Sequence, residues 1–341
     1  MAEYTFFGGM HPNLVYALAM VFWGVVILGF VAVLGLYLIW LERKVSARIQ
    51  SRYGPIYVGG KFGWLQTVAD TVKLLGKEDL VPRDADRLMF NMAPAIVMIA
   101  TVMTFAAIPF GPNLIIADLN IGIFYLLAVS SLGVVGIIMG GWASNNKWSL
   151  YGAMRAASQI VSYEIPVALS LIGVVMFVGS LSMAEISQFQ DGGIWRWNLF
   201  RSPFLFLAGF VYFVAALAEL NRTPFDLPEA ESELVSGFHT EYSGMKFAFF
   251  FLAEFANMFI VAAVATAMFL GGWSGIVPHD VLPIPGVVNF LVKCWLLIVL
   301  MMWLRWTLPR LRVDQLMYVC WKVLIPVSFF LLLGVGVQML L

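Results

Sequence analysis

Cut at its charged residues, the chain falls into long apolar runs: Leu14 to Leu41, Met89 to Ile116, Ile121 to Trp142, Ile165 to Met183, Ser202 to Ala218, Phe247 to Gly272, Leu282 to Leu304 and Val323 to Leu341. Each reaches the roughly 17 to 25 residues that a membrane-spanning helix needs. The pattern predicts one all-α polytopic membrane domain over 1–341, with eight transmembrane helices near 14–41, 89–110, 121–142, 162–183, 202–220, 247–271, 282–304 and 323–341. One further segment has a different period. Between Phe62 and Leu75, the apolar residues Leu65, Val68, Val72 and Leu75 recur at helical spacing, while Gln66, Asp70 and Lys73 share another face. This predicts a short amphipathic helix over 62–75, lying along the membrane surface. The chain carries no internal repeat, low-complexity tract or interdomain linker.

Composition agrees with lipid as the solvent: 61% of residues are hydrophobic and 12% charged, where a soluble domain has about a quarter charged. The net charge of zero is silent on partners, and no nucleic acid is expected among them. The placement of the cations is more informative. Arg43, Lys44, Arg48, Arg52, Lys61, Lys73, Lys77, Arg83 and Arg87 fall in the first connection, and Lys147, Arg155, Arg222, Lys246, Arg305, Arg310, Arg312 and Lys322 in the third, fifth and seventh. The other side has Arg196 and Arg201. By the positive-inside rule the odd-numbered connections are cytoplasmic and both termini periplasmic. Met1 to Asn13 has no basic n-region or small-residue cleavage site, so the first apolar run reads as a retained helix.

Cys294 and Cys320 have no C-x-x-C spacing, and His11, His239 and His279 fall on different loops. Neither set suits an iron–sulfur cluster or a haem. Without a glycine-rich nucleotide motif either, the redox cofactors and nucleotide site are expected on other chains. The chemistry open to this chain is ionic. A charged side chain near the bilayer centre costs about 2.5 to 3.5 kcal/mol on insertion scales, so each asks for a partner or a function. Glu254 lies seven residues into the sixth run, and Lys293 at the middle of the seventh. Glu42, Glu164 and Glu219 lie at the cytoplasmic ends of the first, fourth and fifth. Lys293 either snorkels, pairs with an acid or serves the coupling; the carboxylates together suggest a proton relay. The loop over 219–246 carries Glu219, Asp226, Glu229, Glu231, Glu233 and Glu241 interleaved with Phe225, Leu227, Leu234, Val235 and Phe238. Asp226 and Glu229 resemble a capping box, predicting a helix over Leu227 to Ser236 with Glu229 and Glu233 one turn apart. Arg155, Ser158, Gln159 and Ser162 form a polar stripe that reads as interhelical glue ahead of a channel wall.

Several stretches resemble the H subunit of bacterial respiratory complex I, called subunit 1 in mitochondria. They are Glu42-Arg43-Lys44 with Arg52-Tyr53-Gly54-Pro55; Gly63-Trp64-Leu65-Gln66 to Asp70 and Lys73; Gly140-Gly141-Trp142-Ala143-Ser144-Asn145 with Lys147; Ser162-Tyr163-Glu164; Ala218-Glu219-Leu220-Asn221-Arg222 through Pro224-Phe225-Asp226-Leu227 and Glu229 to Leu234, then Glu241-Tyr242; and Arg312 to Met317. They keep the family's order over nearly the whole chain. Thr223 and Val45-Ser46 depart from the pattern without touching ionisable positions. The resemblance implies a non-redox subunit of NADH:quinone oxidoreductase in the bacterial inner membrane, inactive alone. Quinone, as ubiquinone or menaquinone, is the implied substrate. FMN and iron–sulfur clusters would sit in partner subunits, and the neighbours would be the hydrophilic quinone-module subunits and the antiporter-like membrane subunits. It also implies proton transfer through Glu42, Asp70, Glu164, Glu219 and Glu254, a quinone chamber near Arg43, Arg222, Asp226, Glu229, Glu231 and Glu233, and supporting charges at Lys147, Arg155, Lys293 and Arg305. Membrane subunits of energy-converting hydrogenases and of ferredoxin- or deazaflavin-linked dehydrogenases share many of these carboxylates. A stand-alone cation/proton antiporter using Glu254 and Lys293 is a reading from a different class.

Overall fold

A computed structural model describes residues 12–228, 231–275 and 284–341. Among them, seven helices are long and apolar enough to cross a membrane: Leu18–Ile49 within α1 (Pro12–Ile49), α3 (Arg87–Phe105), α4 (Gly122–Ala143), α5 (Lys147–Val178), α10 (Gly244–Met268), α11 (Gly286–Thr307) and the continuous segment Val313–Leu340. The shorter apolar α8 (Pro203–Glu219) has 17 residues, about 25 Å at 1.5 Å per residue, and makes the eighth span of a polytopic bundle. Short helices α6 (Met183–Phe189) and α7 (Asn198–Arg201) lie between α5 and α8, and α9 (Glu231–Leu234) lies between α8 and α10. The interfacial helix is α2 (Gln66–Leu75). Its apolar residues Val68, Val72 and Leu75 are exposed, as expected of a helix that rests on lipid or on another chain.

Helix ends depart from the apolar runs. α1 continues to Ile49, carrying Glu42, Arg43 and Lys44 inside the helix, and α5 starts at Lys147 rather than near 162. Charges end an apolar run without breaking a helix, because long side chains reach out of the bilayer while the backbone stays paired. The starts are fixed by caps. Asp86 accepts from Leu88 N and Met89 N, Asn146 from Trp148 N, and Ser202 from Phe204 N. The segment Val313–Leu340 comprises α12 (Val313–Tyr318), a π-helical stretch Val319–Leu324, and α13 (Ile325–Leu340).

The most deeply buried span is α10. Ala253, Ala256, Ala262, Ala263 and Ala267 on it are fully buried, so neighbouring backbones come close. Close approach recurs between α3 and α4, where a Cβ on Gly136 would stand 2.5 Å from Val97 Cγ2. At its far end α10 leaves carbonyls that its own helix cannot satisfy. Gln190 and Asn198 side chains donate to Ala267 O and Met268 O, Leu199 N donates to Phe269 O, and Lys293 Nζ donates to Leu270 O. The carbonyls of Gly272 and Ser274 also accept from Lys293 Nζ, at 3.1 and 2.5 Å, and the ring of Trp197 lies 4.4 Å from the ammonium. Lys293 is therefore held by main-chain carbonyls and an indole, where the sequence left an acid open as its partner.

Candidate functional site

The site grows from the turn that follows α8. Glu219 is the last helical residue; Leu220 caps the helix, and Asn221 takes the left-handed conformation at φ 52°, which asparagine tolerates better than most residues. That turn sends Arg222 back into the bundle, where it is 3% exposed. Its Nη1 donates to both oxygens of Glu42 on α1, at 3.1 and 2.9 Å, and its Nε pairs with Glu254 Oε1 on α10 at 2.8 Å. The guanidinium also lies 4.5 Å from the ring of Phe255. Arg305 on α11 donates from Nη1 to Glu42 Oε1. Half-buried Asp226 is near enough for its charge to act on Glu254. Two carboxylates and two guanidiniums from four segments thus form one buried cluster. Removing one partner of such a cluster leaves an uncompensated charge, at a cost of about 3 to 5 kcal/mol.

Beyond Glu254 lies a cavity of about 120 Å³ between α3, α4, α5, α8 and α10, with Glu219, Glu254, Asn257, Thr101 and His239 in its walls. Glu254 is therefore shared, its carboxylate reaching Arg222 on one side and the cavity on the other. Glu164 on α5 is close enough to Glu219 for their charges to interact. His239, in the 3-10 turn Gly237–His239, packs edge-on against Phe238 and Phe247. Burial pushes its imidazole down to about 4. His11 and His279 lie outside the described residues.

A second ionic group ties α2 to the end of α1. Arg43 pairs with Asp70 at 2.5 Å, Gln66 donates to the other oxygen of Asp70, and Trp40 stacks on Trp64 at 4.0 Å while its Nε1 donates to Phe62 O. The side chains of Arg43 and Asp70 are 43% and 34% exposed, so this pair belongs to the rim.

The acidic loop folds differently from the expected helix over Leu227 to Ser236. Of the described residues, only α9 is α-helical there. Val235 at φ 67° and Gly237 at φ 61° turn the chain, and Gly152 on α5 admits that turn because a Cβ there would stand 2.7 Å from Gly237 backbone. Glu233 pairs with Arg155 at 2.7 Å and Arg310 at 3.0 Å on the surface; the Arg155 hydrogen bond, above all, holds its carboxyl below the ordinary value. Glu231 opens α9, and Glu229 lies outside the described residues. Glu241 accepts from Asn146 at 2.6 Å.

The structure brings Glu42, Arg222, Glu254 and Arg305 together, sets Glu219 in the cavity wall with Glu164 near enough to interact with its charge, and leaves Lys147 over the ring of Trp148, outside the cluster. Lys293 belongs to the opposite end of α11 from Arg305, twelve residues or about 18 Å along the axis. The polar stripe on α5 is glue at Gln159, whose Nε2 donates to Ala218 O and Phe225 O. Asn257 and Thr101 do not stand out in the sequence; the available signal is a carboxamide three residues beyond Glu254 in an otherwise apolar helix.

The NADH dehydrogenase family matches residues 21–336. The chain is 52% identical over 304 residues to the NADH-quinone oxidoreductase H subunit of Chlorobium luteolum, covering 86% of this chain and 82% of that one. It is 46% identical over 332 residues to the same subunit of Anaeromyxobacter dehalogenans, covering 92% and 80%, and 51% identical over 292 residues to that of a Geobacillus strain, covering 86% and 85%.

Proposed function

The chain belongs to the NADH dehydrogenase family, among the membrane subunits of NADH-quinone oxidoreductase, and from that premise we propose that its buried ionic cluster couples quinone reduction to proton movement. The observation that carries this reading is the position of Arg222, which joins Glu42 to Glu254 through one planar cation. The rim formed by Arg43, Asp70 and α2 faces the quinone chamber, which this chain builds with hydrophilic partner subunits. Reduction of quinone adds charge and then protons beside that rim. A change in charge there alters how Glu42 shares Arg222 and Arg305. When Arg222 moves toward Glu42, Glu254 loses its counter-charge and takes a proton from the cavity side, where Glu219 and Glu164 supply it. Asp226 and Glu233 shape the potential at the mouth, with Arg155 as the counter-ion of Glu233. The flavin and iron–sulfur clusters belong to partner chains, and antiporter-like subunits receive the signal. The cation-rich connections are cytoplasmic and both termini periplasmic.

Glu254→Gln keeps shape and hydrogen bonding but cannot titrate. In sealed inverted vesicles it assembles normally and supports NADH oxidation with loss of quinone-dependent acidification; Glu254→Asp retains part of it. Full acidification by an assembled Gln variant removes Glu254 from the path.

A further inference from the structure

The geometry points to a binding site for the phosphodiester of an anionic phospholipid at Arg196 and Arg201, at the end of the bundle away from α2. The site does not depend on the coupling role proposed for Glu254.

Arg196 and Arg201 are the basic residues that the chain carries on that side. Cations there run against the positive-inside tendency, so their presence asks for a reason. Both are tied back to one turn. Arg196, the last residue of the 3-10 turn Ile194–Arg196, donates from Nη1 to Asp191 O at 3.3 Å, and Arg201, the last of α7, donates from Nη2 to Phe189 O at 3.0 Å. The Phe189 ring lies 4.1 Å from the Arg201 guanidinium. Gly192, at φ 113°, lets Arg196 fold back, because a Cβ there would stand 2.9 Å from Arg196 Cδ and 3.0 Å from its Nη1.

The fold thus brings two like charges near each other. Burial, and next the charge of Arg196, hold the Arg201 guanidinium below its ordinary pKa. Neither arginine forms an ion pair among the described residues. Asp191, the acid nearest to them in sequence, accepts at Oδ1 from Gly192 N at 2.9 Å instead. Two solvated arginines would be free to separate, whereas carbonyls two residues apart hold these together. Each guanidinium has five N–H donors and uses one of them in these contacts. The two oxygens of a phosphodiester between them would take further donors bidentately and offset the repulsion.

The surroundings decide which phosphate. Arg201 is two residues ahead of the start of α8, so the pair stands where a span leaves the hydrocarbon. Trp195 is 82% exposed, with Phe200 edge-on to it at 6.4 Å, and an indole so placed sits at headgroup level. Just inside α8, Phe206, Leu207 and Phe210 are exposed. Phe206 and Phe210 lie one turn apart on one face and give an acyl chain a track to follow. A soluble phosphate would use the two cations but neither the aromatic rim nor the apolar face of α8.

The probe is phosphatidylglycerol with a photoreactive diazirine in an acyl chain, added as a small fraction to phosphatidylcholine nanodiscs that hold the assembled complex. Met183 and Met245 flank the site, so cyanogen bromide releases it on one fragment, 184–245, whichever arginine is replaced. At subsaturating probe, label on this fragment should fall about fivefold in Arg196→Gln, as expected of one basic residue facing an anionic headgroup. It should fall further when Arg201→Gln is added, with label on other fragments of the complex unchanged. The same diazirine carried on phosphatidylcholine should label 184–245 equally in all three proteins, and excess inorganic phosphate should leave the phosphatidylglycerol label in place. Arg196 is exposed, so the single variant decides if the double one lowers the amount of complex. Unchanged phosphatidylglycerol label in Arg196→Gln overturns the site. An equal fall with the phosphatidylcholine probe overturns it as well, since the contact would then be with lipid of any charge. Displacement of the label by phosphate would make the ligand a soluble anion and overturn the lipid as its occupant.

Discussion

At Arg222 a single side chain satisfies Glu42 through Nη1 and Glu254 through Nε, and the planar fork of guanidinium is what allows two acids on different helices to share it. A lysine in its place supplies the charge at one point only. Arg222→Lys is therefore expected to leave the complex assembled while lowering quinone-dependent NADH oxidation by about tenfold, the equivalent of one lost charge-assisted bond of about 1.4 kcal/mol. Equal turnover across a range of quinone concentrations would mean that charge without geometry suffices. His239 offers a test by pH. Burial lowers its imidazole from 6.5 to about 4, so between those values the unfolded chain binds a proton that the folded chain refuses. Stability is fully present above 6.5 and is lost as pH falls toward 4, by roughly 3 kcal/mol in all. The thermal midpoint of the detergent-solubilised complex should drop on acidification, and more steeply than in His239→Gln. Parallel curves for the two proteins would exclude the imidazole as the cause.

At the scale of elements, α10 is anchored near its middle by the ionic cluster at Glu254 and at its C-terminal end by the capped carbonyls at 267–270. Lys293 serves the C-terminal end, where a cation favours the negative pole of the helix and fills three carbonyls. Lys293→Met should reduce the yield of assembled complex and its resistance to heat, with protons delivered per NADH unchanged in what remains. A lowered ratio in intact complex would return Lys293 to the coupling path. The spans themselves were legible in the letters, because a run of some twenty apolar residues has few uses other than crossing lipid. Their ends were not: Glu42 and Arg155 sit inside helices since a charge ends hydrophobicity and not backbone pairing. The capping signal at Asp226 suggested a longer helix than α9 because the turn at Val235 and Gly237 depends on backbone contact with Gly152, a tertiary fact. Membership of the ionic cluster was equally hidden. Glu42 meets Arg222 across 180 positions and Arg305 across 263, so the sequence identified each as an ion in need of a partner without naming the partner.

For the whole molecule the distribution of cations gives an expected orientation. The α1–α3 connections carry Arg52, Lys61, Lys77 and Arg83, while the opposite loops between α5 and α8 carry Arg196 and Arg201 with Glu185 and Asp191. Lys and Arg near span ends resist translocation, and acids do little to offset them, so the α2 side is expected to face the cytoplasm and the far cap of α10 the periplasm. The chain is suited to a direct measurement, because its only two cysteines, Cys294 and Cys320, are both buried and give little background to a thiol reagent. Tyr57 and Trp195 are 92% and 82% exposed on opposite ends of the bundle, and neither takes part in the ionic cluster. Tyr57→Cys should react with a membrane-impermeant maleimide in inverted vesicles stripped of the hydrophilic arm and stay unlabelled in intact spheroplasts. Trp195→Cys should do the opposite. The reverse pattern would turn the bundle over, place the cluster of Glu42, Arg222 and Glu254 at the periplasmic end, and count against the coupling role proposed for it.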